Sequence, residues 1–383
     1  MRAIALLLLM ALSLPAADPA PADTDKLAAD LVKQLGHPKY AVREKAAKKL
    51  IDMGKASLTA LRSGLSSPEE EVRSRCETLI PKAKTAEWVY RANTYLSAPN
   101  GMRPRDLPLL AEYEAMIGKD KMDAGARELF AEMIRTNGEL LERVAGDRTR
   151  TKVACRARSK VVLDDAFAGE TRRKAKVGDI AAVLFVHTLE PMAKSEVADR
   201  SFPGYLLTNP GIEDCFSDKV IEAAFRRLVV RWADTRLEGD KLAQQQFARA
   251  SLAKPFPEAV PILIRMIRDK SADHYTVRTL AVQALGGMKS PEAAAALFDL
   301  MAEKTPLFEV GQGHSYLMCD NALAAWLTMH GKKLKDDGML RIIIPFGDGP
   351  GDEPDSLRLH GFMNSAARES AFQKWKDEME KKK

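Results

Sequence analysis

Residues 31–50 read LVKQLGHPKYAVREKAAKKL, and residues 61–80 read LRSGLSSPEEEVRSRCETLI. Laid over each other at an offset of 30, they agree where a helical hairpin needs them to. Leu31 meets Leu61, Leu35 meets Leu65, and Pro38 meets Pro68. Val42 and Arg43 meet Val72 and Arg73, Lys45 meets Arg75, Ala46 meets Cys76, and Leu50 meets Ile80. Leu31 and Leu35, four apart, share one helix face, as do Val42, Ala46 and Leu50. Between the two faces the chain breaks at Gly36–Pro38 and again at Ser66–Pro68, because proline cannot continue a helix interior. Each unit is therefore a pair of helices with one apolar stripe apiece. Neither pair can bury both stripes alone, so neighbours must stack.

The same grammar returns later. Residues 259–267 read as a first helix, 269–273 as a turn, and Val277 and Arg278 open a second helix that carries Ala281 and Leu285. Gly286 and Gly287 end that helix, and Ser290 and Pro291 start another, with Ala293, Ala296, Leu297 and Leu300 on its face. After an interruption at 311–313, residues 319–326 read as its partner.

With the proline in the turn, the Val-Arg pair and the small residue four positions on, residues 27–80 and 256–331 resemble HEAT repeats. The whole plan, from an apolar leader to a closing helix at 368–383 with Trp375, is similar to exported bacterial HEAT-repeat proteins. The resemblance implies an all-α solenoid of stacked antiparallel hairpins with a divergent helical middle, and a non-enzymatic scaffold that binds protein partners. It also implies a ladder between repeats, made by an aspartate near the turn and the arginine after valine. Asp273 and Arg278 fit that ladder; Arg43 and Arg73 lack the aspartate, and Asp320 replaces the arginine in the last unit.

The middle also reads as helix. Residues 87–96 hold Trp88 and Tyr95, 106–117 hold Leu109, Leu110 and Tyr113, and 123–136 hold Ala126, Leu129, Phe130 and Met133 at helical spacing. A break falls at Asn137 and Gly138. The apolar run within 179–190 suits a buried helix, with a strand as the alternative, and Ser217 and Asp218 cap a helix to Leu237. The expected divisions are a leader at 1–17 (up to 22), repeats at 23–84, a divergent region at 85–198, a connecting loop at 199–216, and repeats with a terminal helix at 217–383.

The chain has 383 residues, 46% of them hydrophobic and only 6% aromatic, which excludes wholesale disorder and suits close packing of small helices. Its formal charge of +6 is too small for this length to imply nucleic-acid binding. Arg2 followed by the apolar run Ala3–Leu14 fits a signal peptide, with cleavage after Ala16, Ala17 or Ala22; an uncleaved anchor is the alternative. The expected location is therefore the periplasm, the cell envelope or the exterior. Cys76, Cys155, Cys215 and Cys319 have no metal-ligand spacing, and for Cys76 a buried free thiol is favoured over a bridge.

No H-E-x-x-H, C-x-x-C or Gly-x-Ser-x-Gly motif occurs, so no catalytic, cofactor or metal residue is assigned. His187 and Glu190, three apart, read as a hydrogen-bonded histidine rather than a metal pair. His314 and Cys319 are weighed as a nucleophile pair, and Asp348, Asp352, Glu353 and Asp355 as a calcium loop. A solvated surface is preferred for the acids, since EF-hand spacing is not met. The expected partner-binding residues are Arg148, Arg150, Lys152, Arg156, Arg158 and Lys160, every one basic with no acid between them. As a helix, Arg148, Lys152, Arg156 and Lys160 form one row; as a strand, all six share a face. Either suits an acidic partner, and the lack of interleaved aromatics argues against nucleic acid. The alternatives to a scaffold are an envelope-polymer hydrolase with a site between the helical halves, or a binder of anionic polymers through residues 148–160.

Overall fold

The computed structural model describes residues 21–98, 107–147, 151–167, 174–189, 202–269, 275–310, 314–334, 339–344, 357–362 and 364–380. The fold is all-α and solenoid-like, built from helical hairpins that stack. The chain divides into two compact units, residues 1–91 and 92–383. The leader, the acidic loop at 348–355, Asp273 and Glu190 lie outside the described residues.

In the first unit, α1 (Pro21–Gln34) and α2 (Tyr40–Asp52) form one hairpin; α3 (Leu58–Gly64) and α4 (Glu70–Ser97) form the next. α2 and α4 thus begin at the same offset of 30 that the sequence shows. The paired stripes close one core, in which Leu35, Leu50, Leu61 and Cys76 are fully buried. Each such leucine contributes about 1.5–3 kcal/mol through burial. Residues 87–96 are not a separate helix, as the sequence suggests, but the later turns of α4, which runs on through Pro81. Proline deletes a single amide donor, while Val72, Cys76, Leu79 and Ala83 keep one buried stripe across it.

The second unit opens with α5 (Leu110–Ile117), α6 (Ala124–Gly146), α7 (Thr151–Phe167) and α8 (Val177–Thr188). Asp123 caps α6 by accepting from the Ala126 amide at 2.7 Å. α8 is buried from Ile180 to His187 and packs on α6 and on the later helix Glu222–Arg236, so its apolar run is a helix, not a strand. Tyr113, Phe130 and Phe185 meet beside it, with ring centroids 5.0 and 5.5 Å apart.

Of the segment 199–216 read as a connecting loop, the described part holds the 3-10 turns Phe202–Thr208 and most of the short α9 (Ile212–Ser217). Leu206, Leu207, Cys215 and Phe216 are buried there, which gives the segment a reason to coil. The next helix, α10 (Glu222–Arg236), starts five residues after Ser217 rather than at it.

Then follow α11 (Lys241–Ala253), α12 (Val260–Arg268), α13 (Tyr275–Gly287), α14 (Pro291–Leu300), α15 (Met318–Met329) and α16 (Ser365–Glu380). α11, α13 and α15 stack in turn, with α12 and α14 packed against them. Ser290 caps α14, accepting from the Ala293 amide at 3.1 Å.

Two short antiparallel pairs lie within this series, which stays all-α in class. β1 (Pro306–Val310) pairs with β2 (His314–Leu317), and β3 (Leu340–Ile344) with β4 (Leu357–Gly361). Runs of four or five residues are too short to show an alternation. The second pair also closes across 345–356, so its register is not local.

The alanine content has its reason at the stacking positions. A Cβ on Gly286 of α13 would lie 2.9 Å from the Ala325 carbonyl oxygen and 3.0 Å from its Cα, on α15. Backbones this close leave no room for a larger residue. Gly286→Val is expected to lower stability by about 1–3 kcal/mol. Gly146→Ala, with nothing within 4 Å of the new methyl, is expected to be neutral or to stabilise by up to about 1 kcal/mol. Urea unfolding of the two variants checks both.

Candidate interaction surfaces

The arginine after valine does the same thing in both N-terminal hairpins. Arg43 donates from one guanidinium nitrogen to the carbonyls of His37 (2.9 Å) and Pro38 (3.1 Å). Arg73, 30 residues on, donates to Ser67 (2.7 Å) and Pro68 (2.9 Å). In the second unit Arg278 donates to the Ile267 carbonyl at 2.9 Å and to Glu303 at 2.7 Å. Arg43 and Arg73 thus bond carbonyls of the turn itself, beyond the helix end, whereas Arg278 bonds a carbonyl in the last turn of α12.

A ladder between hairpins also exists, in a different form from the expected aspartate–arginine one. Arg75 bridges Glu71 (2.5 Å) on its own helix and Glu44 (2.9 Å) on α2, while Arg43 lies 3.4 Å from Glu71. The hydrogen bond from Arg75 holds the Glu71 carboxyl below its ordinary pKa. In the last hairpin the charges are exchanged. Asp320, fully buried, accepts from Arg368 of α16 at 2.8 and 2.9 Å.

The basic row is helical. Arg156 and Lys160 are exposed on α7, whereas Cys155 and Ser159 face inward. Arg158, which is not in the helical row, turns toward α6 and α8. It donates to Asn137 Oδ1 (2.6 Å) and Asp179 (2.5 Å), and Asn137 donates to the same Asp179 oxygen at 2.9 Å. Asn137 sits at a kink in α6 with φ −135° and ψ 25°, the place where the sequence puts a break. Arg158 is therefore a structural cross-brace of α6, α7 and α8. Arg148 and Arg150 lie outside the described residues; Lys152 lies on α7, its side chain likewise undescribed. Sequence reasoning missed the apolar part of this face: Val153 is 71% and Val161 46% exposed, with exposed Ala157 between them.

His187 is 1% exposed, and neither ring nitrogen has a hydrogen-bond partner among the described residues, contrary to the expected satisfied histidine. Its backbone carbonyl, not its ring, is bonded, by Arg236. Burial first, and then the nearby Arg236 cation, push its pKa down to about 3. Of the His314–Cys319 pair, only Cys319 has a described side chain. Burial, with Asp320 beside it, pushes that thiol up to about 12, which keeps it protonated at neutral pH. All four cysteines are buried thiols outside any disulfide. Among the described residues no group of three His, Cys, Asp or Glu side chains can hold a metal, and no helix is long and apolar enough to cross a membrane.

Two hollows remain. One, of about 480 Å³, lies among α1, α3 and the start of α4. The other, of about 640 Å³, lies among the end of α14, the start of α15 and α16.

Residues 235–308 match the family model of HEAT repeats. The match spans α11–α14 and the arginine tie of Arg278, and it begins before the segment at 256 where the sequence resemblance starts. No curated protein and no solved structure matches the chain.

The histidine generates a pH dependence. The unfolded chain takes up a proton on His187 near its ordinary 6.5, while the folded one resists until about 3. The stability this group allows is thus complete above about pH 6.5 and is lost as pH falls toward 3, at about 1.4 kcal/mol per unit. His187→Leu is expected to flatten that limb. Urea midpoints at pH 7 and pH 4.5 check it, and an unchanged slope would count against the buried-neutral histidine.

Proposed function

We propose that the chain is an exported scaffold that holds protein partners on its helical surfaces and performs no chemistry of its own. The observation that carries this reading is the HEAT-repeat match at 235–308, lying on helices that stack in the described way. Solenoids of stacked hairpins present side chains along a repeated surface, and binding is what such surfaces serve. The buried cysteines and the buried, proton-poor His187 support it further, since none offers a reactive group to solvent.

Export rests on Arg2 and the apolar run Ala3–Leu14. The exposed Arg156 and Lys160 favour acidic partners, and Val153 and Val161 add an apolar contribution that a simple polyanion cannot use. Binding through this face is therefore expected to fall only partly with salt.

Affinity capture from the envelope fraction with the tagged full-length chain tests the reading. The expected result is a mature chain beginning after residue 16, 17 or 22, together with a stoichiometric protein partner retained at moderate salt. Retention of glycans alone, or turnover of an envelope polymer, would overturn the scaffold; an intact Met1 in the recovered chain would overturn the cleaved leader.

A further inference from the structure

The groove of about 640 Å³ in the C-terminal part of the second unit has a definite chemistry. Its volume falls within the roughly 300–1,000 Å³ typical of binding pockets. Phe298 and Met301 from the end of α14, Leu317 before α15 and Phe372 of α16 supply its apolar lining. Phe298 is 45% exposed, although a few residues back on the same helix Ala293 and Leu297 are fully buried. Lys304 and Lys376 stand exposed on the rim, and neither has an ion-pair partner among the described residues. Arg368 also reaches the wall, but its charge is met from beneath by the buried Asp320. Among the described residues, Glu369 is the one carboxylate in the lining.

The accessible groove is thus apolar at its centre and cationic at its margin. Its walls are mainly helices, whose backbone groups are consumed within them, so they offer no ladder to an extended strand. A guest with its own backbone bonds satisfied, an apolar face and flanking acids is complementary. Resting on the scaffold reading, we propose that this groove docks an amphipathic, acidic helix of a partner protein. The helix inserts bulky apolar side chains between Phe298 and Phe372 and sets Asp or Glu against Lys304 and Lys376.

The test pans a phage-displayed library of random 16-residue peptides on the full chain and on the triple variant Phe298→Ser, Lys304→Glu, Lys376→Glu. All three positions are exposed, and far-ultraviolet circular dichroism confirms that the variant keeps its helices. The proposal expects peptides with Leu, Phe or Trp at i, i+3 or i+4 spacing and acids between them. Their affinity should drop at least about tenfold on the variant, which should itself select basic sequences. Peptides that bind both proteins equally would overturn the groove while leaving the scaffold standing. So would an enriched set without acids, or no enrichment at all. A dodecanoate titration runs beside it; uptake lost in the variant without peptide enrichment would give the groove to an anionic amphiphile and overturn the helix. Failure of the scaffold itself would show instead as loss of the stoichiometric partner in the envelope capture.

Discussion

A guanidinium bonded to the carbonyls of the turn before its own helix is the constraint on which the repeats depend. In the first two hairpins the helix-end carbonyls take amides of the turn, which leaves the turn's own carbonyls in need of donors. Arg43 and Arg73 meet that need in the same way, 30 residues apart. Arg278 instead bonds Ile267, in the last turn of α12, and adds Glu303. Once each hairpin is tied, its two stripes face its neighbours, and the buried leucines and alanines follow. The charged rungs among Arg43, Glu71, Arg75 and Glu44 are partly exposed, so they set register more than they add stability.

The centre of the second unit solves a different problem with the same residue type. α6 kinks at Asn137, and a kink frees polar groups inside a core. Arg158 and Asp179 close on that asparagine, so the network is satisfied among its own members. One cation of the basic segment is thereby tied into the fold. At the C-terminal end a buried aspartate replaces the repeat's cation, and the terminal helix returns the missing charge through Arg368. Trp375 of that helix lies 5.8 Å from Trp326, so the helix is fixed by packing as well as by charge. The groove beside it owes its shape to that fixation.

Much of the helical framework was legible because the apolar spacing at Leu31–Leu50 and Leu61–Ile80 repeats with its punctuation. Proline, Val-Arg and a small residue each have a local physical reason, and local reasons can be read from a chain. What escaped was non-local. Nothing in Asp320 points to a partner 48 residues away. Nothing in Glu44 shows that Arg75 will lie beside it until the hairpins are stacked. The β-hairpins were hidden because their strands are short and one pair closes across a long connection. The basic row was visible as charge, but the turn of Arg158 inward and the exposed Val153 and Val161 emerge only from the placement of α7 on its neighbours.

The arginine tie is tested most directly by hydrogen exchange of the Arg278→Met variant, followed by mass spectrometry. The residue is 8% exposed and its bonds are made to a helix-end carbonyl and a carboxylate. Losing it should cost about 2 kcal/mol or more. Amides of α12–α15 should then exchange at least about 30-fold faster, with the first unit unchanged. Exchange in α12–α15 that matches the parent protein would contradict the account.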